Sequence, residues 1–107
     1  ESERKKIFKD AKLLESKGVF SIVLECVESS LAKEITKSLK VPTIGIGSSI
    51  NCDGQVLVTD DLLGLNDTKI KFVKKFANIK NQIKKAAQKF RSEVINKKYP
   101  TKKHSYS

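Results

Sequence analysis

Residues 20–27 read FSIVLECV, a short, apolar and partly β-branched stretch that gives the clearest indication of fold class. Its length, and the Gly18 that precedes it, favour a buried strand over a helix. Two later stretches have the same character, residues 41–47 (VPTIGIG) and residues 55–59 (QVLVT). Because each of these stretches is apolar throughout, the sequence predicts an α/β fold with a parallel sheet that is covered on its faces.

Apolar residues at helical spacing occur before, between and after these strands. A first helix is predicted over residues 1–17, and a second begins at Ser29 or Ser30, either of which can cap it. A third helical pattern, with three- and four-residue steps, spans residues 69–99 and is followed by a polar tail over residues 101–107.

Side chains alternate between the two faces of a strand, which divides residues 20–27 into two sets. Phe20, Ile22, Leu24 and Cys26 form the bulkier set and are expected to meet the helices, whereas Glu25 faces the other way. A carboxylate near the carboxyl end of a parallel strand lies where α/β enzymes place their catalytic groups. Glu25 is therefore the candidate catalytic residue, and a strand-end carboxylate that is hydrated or paired with a lysine is the alternative.

Neither a phosphate cradle nor a metal site is predicted from the remaining motifs. Gly45 and Gly47 lie two residues apart without the third glycine of a dinucleotide fingerprint, so close backbone packing is the favoured interpretation. Asp60 and Asp61 follow the third predicted strand, and neighbouring strand residues point to opposite faces. Only one of these two aspartates is expected to face the mouth of the fold.

The cysteines and the histidine are expected to be structural or surface residues. Cys26 and Cys52 are far apart and lack the spacing of a zinc site or a disulfide framework, which is typical of a reducing cytoplasm. Cys26 is predicted to be a small buried hydrophobe, and Cys52 a loop thiol without a neighbouring base. His104 lies in the polar tail and is predicted to be exposed.

Charge and hydropathy narrow the class of protein. The 107 residues carry a formal net charge of +10, which is compatible with nucleic-acid binding. Only Arg4 and Arg91 are arginine, however, and nucleic-acid readers depend on the arginine fork, so no nucleic-acid partner is predicted. No apolar run approaches the roughly 20 residues that cross a bilayer, and we expect no charged-then-apolar export leader. We therefore expect a cytoplasmic protein without a membrane partner.

A sheet of three parallel strands leaves two edges unpaired, which is a poor design for an independent domain. The chain is therefore expected to be part of a larger fold and to fold poorly by itself.

The motifs, taken together, resemble the ketopantoate hydroxymethyltransferase family over almost the whole chain. The stretches that carry the resemblance are VLECV at 23–27, AKEIT at 32–36, VPTIGIG at 41–47, DGQVLV at 53–58, DLLG at 61–64, KFVKKF at 71–76, Tyr99-Pro100 and His104-Ser105.

This resemblance implies that residues 1–107 are the carboxyl-terminal part of a (βα)8 TIM barrel of roughly twice this length, contributing its last three strands. The family transfers a hydroxymethyl group from 5,10-methylenetetrahydrofolate to 3-methyl-2-oxobutanoate, giving 2-dehydropantoate for pantothenate biosynthesis. A magnesium ion holds the oxo-acid. The glutamate of the LECV motif is the family's proton acceptor, and it corresponds to Glu25, which the strand pattern also selects.

The resemblance also implies that much of the active site lies outside this chain. The family's Mg²⁺-binding aspartates, its second acidic residue and its substrate-contacting serine and lysine belong to earlier strands, so no metal ligand is assigned here. Some residues depart from the family pattern: Ser48-Ser49 stand where Ala-Gly is usual, Asp60 replaces a histidine or glutamine, and Lys102 and Lys103 replace acidic residues.

The favoured hypothesis is a truncated or excerpted transferase that forms a homo-oligomer or requires a missing amino-terminal part. The alternatives are an inactive remnant, a half-enzyme that assembles with a separate amino-terminal piece, and a basic module that binds nucleic acid or acidic partners.

Overall fold

Parallel strands alternate with helices in the computed structural model, which describes residues 2–107. The elements in chain order are α1 (Ser2–Ser16), β1 (Ile22–Glu25), α2 (Ser29–Ser38), β2 (Thr43–Ile46), β3 (Gly54–Gln55), α3 (Thr59–Leu62), α4 (Ile79–Ile95) and a short 3₁₀ helix (Lys102–His104). The predicted first helix is confirmed, except that its residue 1 lies outside the described residues. No helix within residues 2–107 has both the length and the apolar character needed to cross a membrane.

The described residues contain one sheet of three parallel strands in the order β1-β2-β3, which confirms the predicted α/β class. In the register of β1 and β2, Ile22 lies opposite Thr43 and Glu25 lies opposite Ile46. Ile44 of β2 lies opposite Gly54 of β3. Strands β1 and β3 each have a single neighbouring strand within residues 2–107, so both are edges of this sheet.

The chain divides into two compact units. The first contains the sheet and extends to Val58, together with Lys69–Val73. The second consists of Thr59–Thr68 and Lys74–Ser107.

The core of the first unit lies between the sheet and helices α1 and α2. Ile22 and Leu24 of β1 are buried there, as predicted from the strand alternation. The remaining buried apolar residues come from the helices and one loop: Ala11, Leu31, Ala32, Ile35 and Cys52. Thr43 of β2 is also fully buried, and its hydroxyl lies 2.8 Å from the hydroxyl of Thr36 on α2.

Strand β1 is shorter than predicted, and this corrects the expectation for two side chains. Phe20 is 88% exposed because it precedes the strand. It therefore does not belong to the buried face, where the alternation predicted it. Cys26 is exposed rather than buried, because its φ of 54° lies in the left-handed region and turns the chain away from the strand direction.

The second and third strands also differ from the prediction. Strand β2 covers only Thr43–Ile46 of the predicted stretch 41–47, and it ends where Gly47 takes a φ of 64°. Strand β3 covers only Gly54–Gln55, and helix α3 begins at Thr59, where a strand end was predicted. Asp60 and Asp61 lie in the first turn of α3, where carboxylates are favourable because they face the positive end of the helix dipole.

The predicted helix over residues 69–99 is wrong in its first third, because α4 begins only at Ile79. Backbone hydrogen bonds fold the preceding turn onto the end of α3. The N–H of Phe76 donates to the carbonyl of Leu62 at 2.9 Å, and the N–H of Ile79 donates to that of Leu63 at 3.0 Å. No residue of α4 is buried, and its lysines are exposed as predicted.

The tail after Pro100 has local structure that the sequence did not indicate. Thr101 precedes the 3₁₀ helix, and its hydroxyl lies 2.7 Å from Nδ1 of His104. The rings of His104 and Tyr99 are 5.5 Å apart. His104 is exposed, as predicted.

Candidate functional site

Glu25 is the last residue of β1 and its side chain is exposed on the sheet face opposite the helices. This is the face and the strand end that the alternation of residues 20–27 predicts. Val23 and Ile44, which are paired in the strand register, share that face with Glu25 and its partner Ile46. Val23 is 57% exposed. The open face is therefore apolar along the strands and carries a carboxylate at its carboxyl end.

The backbone turns sharply directly after Glu25. Cys26 has a φ of 54°, a conformation that costs a residue with a Cβ on the order of 1 kcal/mol. Its N–H still donates to the carbonyl of Ile46 at 2.9 Å, which continues the pairing of β1 with β2 by one residue.

The hydroxyl of Ser48 bonds to the backbone on both sides of Glu25. It donates to the carbonyl of Leu24 at 2.6 Å and accepts from the N–H of Val27 at 3.0 Å. Ser48 follows the end of β2, so these two hydrogen bonds link the carboxyl ends of β1 and β2. Ser48 stands out in the sequence only as a departure from the family motif, and its spacing does not predict these hydrogen bonds.

Helix α2 is capped by Glu28 and not by Ser29 or Ser30, which corrects the predicted cap. The Glu28 carboxylate accepts from the N–H groups of Ser30 and Leu31 at 2.9 and 3.1 Å and from the Ser30 hydroxyl at 2.6 Å. These hydrogen bonds, with the Ser30 hydroxyl contributing most, lower the pKa of Glu28 to about 2. Glu28 is thus an ionised cap three residues after Glu25.

Arg4 joins helix α1 to the start of α2. Its guanidinium donates to Glu28 and to Glu34, each at 2.7 Å, and to the Ser30 hydroxyl at 3.1 Å. The hydrogen bond to Glu34 is the largest cause of a raised pKa at Arg4. Arg4 is one of only two arginines in the chain, and that rarity is the one signal in the sequence that could have indicated its role.

An open cleft of about 430 Å³ lies at the end of β1, between the first turns of α1 and α2. Glu25 and Cys26 line it on the strand side, and Glu28 lines it at the cap of α2. The other lining residues are Glu3, Arg4, Ile7, Val27 and Leu31. The residues that line the cleft therefore include Glu25, one arginine and two further glutamates.

Gly45 and Gly47 provide close packing at the end of β2, which confirms the interpretation favoured from the sequence. A Cβ at Gly45 would lie 3.0 Å from both Sγ of Cys52 and Oε1 of Gln55. A Cβ at Gly47 would lie 2.6 Å from Cγ of Phe72, and the φ there is 64°. The contact between Gly47 and Phe72 was not predictable from spacing, because 25 residues separate the two in the chain.

The remaining candidate residues are described by their own surroundings. Asp61 is buried with 8% exposure and accepts from Nδ2 of Asn66 at 2.9 Å, whereas Asp60 is exposed. Cys52, predicted to be a loop thiol, belongs to the core, because the loop folds back against α2 and Thr36. Within residues 2–107, no three histidine, cysteine, aspartate or glutamate side chains are close enough together to hold a metal ion.

Comparison with known proteins gives one consistent result. The model of the ketopantoate hydroxymethyltransferase family matches residues 1–102. A 3-methyl-2-oxobutanoate hydroxymethyltransferase from Pelagibacter ubique is 70% identical over 98% of this chain and 41% of its own length. The enzymes of the same name from Caldicellulosiruptor bescii and Thermotoga maritima are 53% and 52% identical, over 99% and 100% of the chain. The chain spans about two fifths of the length of these relatives.

Proposed function

Because the chain belongs to the ketopantoate hydroxymethyltransferase family, we propose that it forms the carboxyl-terminal part of a 3-methyl-2-oxobutanoate hydroxymethyltransferase. That enzyme would transfer a hydroxymethyl group from 5,10-methylenetetrahydrofolate to 3-methyl-2-oxobutanoate and form 2-dehydropantoate for pantothenate biosynthesis. The observation that carries the proposal is the 70% identity to the Pelagibacter ubique enzyme over 98% of the chain.

We further propose that residues 1–107 are one fragment of a (βα)8 TIM barrel, with residues 101–107 as a polar tail. Two features of the sheet support this proposal. Strands β1 and β3 are edges within the described residues. Closure of the barrel would pair each of them with a strand of the amino-terminal part. The open face carries Val23, Ile44 and Ile46, and inward-facing residues of this kind fill the interior of such a barrel.

Glu25 is proposed as the base of the reaction. Its carboxylate would accept the proton of C3 of the oxo-acid as the C3–H bond breaks, and the electron pair of that bond would pass into an enolate. The support is geometric, because Glu25 is exposed at the carboxyl end of β1, where barrel enzymes assemble their sites.

The resemblance also implies a Mg²⁺ ion and a bound folate. In the part of the chain that the structure describes, residues 2–107, no three histidine, cysteine, aspartate or glutamate side chains are grouped closely enough to hold a metal ion. We propose that the amino-terminal part of the barrel supplies the metal ligands and completes the substrate site. Cytoplasmic localisation, assembly into a homo-oligomer and the absence of a nucleic-acid partner are proposed on the same resemblance.

The test uses a completed enzyme, defined as residues 1–107 fused in place of the matching carboxyl-terminal region of the Pelagibacter ubique relative. We expect the completed enzyme to form 2-dehydropantoate from 3-methyl-2-oxobutanoate and 5,10-methylenetetrahydrofolate, and residues 1–107 alone to form none. The unmodified relative is the control. A completed enzyme that folds but forms no product, under conditions in which the relative is active, would contradict the proposal.

A further inference from the structure

Ile46 lies directly opposite Glu25 on the neighbouring strand. The two residues are partners in the parallel register of β1 and β2, and both side chains are on the open face of the sheet. Neighbouring strands lie about 4.8 Å apart, whereas the next residue on the same face of a strand is about 6.6 Å further along it. Within residues 2–107, Ile46 is therefore closer to Glu25 than Val23 and Ile44, the other apolar residues of this face.

The backbone holds Ile46 and Glu25 in this register. The N–H of Cys26, the residue after Glu25, donates to the carbonyl of Ile46 at 2.9 Å. Strand β2 then ends at Gly47, which has a φ of 64° and lies so close to the Phe72 ring that a Cβ would be 2.6 Å from its Cγ. Ile46 is also β-branched and therefore has few rotamers. The apolar side chain is thus held at a well-defined place beside the carboxylate.

The oxo-acid carries apolar groups at the carbon that Glu25 would deprotonate. C3 of 3-methyl-2-oxobutanoate bears the proton to be removed and two methyl groups. Reacting atoms lie about 3 to 3.5 Å apart in a reactive geometry, so these methyl groups, one bond from C3, come within reach of the side chains beside the base. Ile46 is only partly buried and offers an apolar surface there. Contact with it is favourable because the methyl groups leave water.

We propose that Ile46 is a specificity-determining residue, whose side chain contacts the methyl groups on C3 and selects 2-oxo-acids that are branched at that carbon. The proposal rests on the proposed function, with Glu25 as the base. An acid without the branch leaves the Ile46 side chain uncovered, and an acid with a longer branch clashes with it. Ile46 lies within the VPTIGIG stretch that carries the family resemblance and is not among the departures from the family pattern.

The test measures exchange of C3 protons with deuterated water in the completed enzyme, as kcat/KM per exchangeable proton, for three acids. C3 bears two methyl groups in 3-methyl-2-oxobutanoate, one in 2-oxobutanoate, and a methyl and an ethyl group in 3-methyl-2-oxopentanoate. Ile46→Ala removes most of the side chain but keeps the backbone carbonyl that Cys26 uses. We expect the preference for 3-methyl-2-oxobutanoate to fall at least about fivefold, both against 2-oxobutanoate and against 3-methyl-2-oxopentanoate.

Ile44→Ala is the matched control, because it removes the same atoms from the same face of β2, two residues further from the carboxyl end. We expect it to leave both preferences within about twofold of the wild-type values. Ile46→Val is the milder variant and should shift both preferences in the same direction as Ile46→Ala, but less. Each preference is a ratio of two acids measured on one preparation, so a smaller folded fraction of the variant does not change it.

Failure of the inference and failure of the proposed function give different results. Unchanged preferences in Ile46→Ala, or equal shifts in Ile44→Ala, overturn the specificity role, and the proposed function stands if the unsubstituted completed enzyme exchanges C3 protons. If Glu25→Gln exchanges them at the wild-type rate, Glu25 is not the base and the specificity role is overturned with it. If the unsubstituted completed enzyme folds but exchanges none, the proposed function itself is overturned.

Discussion

Arg4 and Glu28 form an ion pair with a separation of 2.7 Å between Nη1 and Oε2, which joins the first turn of α1 to the cap of α2 across 24 residues of sequence. Glu28 thereby takes part in two local structures, the helix cap and the contact between helices. Both lie beside the cleft that contains Glu25. We therefore expect a change in the stability of the Glu28 cap to affect the cleft beside it.

The first prediction concerns acid stability. The pKa of Glu28 is lowered to about 2 from an ordinary value of 4.5. A lowered pKa means that ionised Glu28 stabilises the fold fully above pH 4.5 and that this contribution is lost as the pH falls from 4.5 towards 2. We expect Glu28→Gln to lower the thermal midpoint of the completed enzyme equally at pH 7 and pH 6, with a difference that shrinks below pH 4.5.

Two further variants test the cause of this shift. The Ser30 hydroxyl contributes most to the lowered pKa of Glu28, and Arg4 contributes less. Ser30→Ala should therefore move the acid loss of stability to higher pH more than Arg4→Gln does. Thermal unfolding across the acid range would contradict the account if the order of these two variants were reversed.

The second prediction separates backbone strain from steric overlap at glycines. Gly18 and Gly47 both have left-handed φ values, of 88° and 64°, but only Gly47 has an obstructing neighbour, the Phe72 ring. Gly18→Ala should destabilise the completed enzyme by about 1 kcal/mol, and Gly47→Ala by about 2 to 4 kcal/mol. Urea denaturation measures both. Equal effects of the two substitutions would show that the Phe72 contact contributes nothing.

The third prediction concerns the strained residue after the candidate base. Glycine adopts a φ of 54° without the penalty of a Cβ, so Cys26→Gly should leave the free energy of unfolding unchanged or raise it by up to about 1 kcal/mol. Cys26→Val should lower it by about 1 to 2 kcal/mol, because a β-branched side chain is least tolerated there. The pair is compared by urea denaturation, and a more stable valine variant would contradict the left-handed turn.

The sequence predicted the fold class and the face of Glu25 because these depend on local periodicity. Ile22 and Leu24 alternate with exposed residues as a strand with one buried face requires. The predicted strand was too long at both ends, at Phe20 and at Cys26, because the ends of a strand depend on backbone conformation and on pairing with β2. Helix α4 was predicted to start too early because the apolar residues of 69–78 keep helical spacing. The backbone of this segment, however, forms hydrogen bonds outside a helix.

The parts of the site that the sequence missed depend on contacts between distant residues. Glu28 caps α2, although serine is the commoner capping residue. The cap was therefore predicted at Ser29 or Ser30. The hydrogen bonds of Ser48 to the turn around Glu25 cross more than 20 residues of sequence. No spacing rule within a single element reports such contacts.

The central claim is that Glu25 accepts the C3 proton, and the most direct test is exchange of that proton with deuterated water in the completed enzyme without folate. Glu25→Gln keeps the size of the side chain but cannot accept the proton, and Glu34→Gln is the matched control on the Arg4 ion pair. We expect Glu25→Gln to slow exchange by about 10²- to 10⁴-fold and Glu34→Gln to leave it within about twofold. Exchange at the wild-type rate in Glu25→Gln would contradict the account and leave Glu25 as a hydrated carboxylate at the end of a strand.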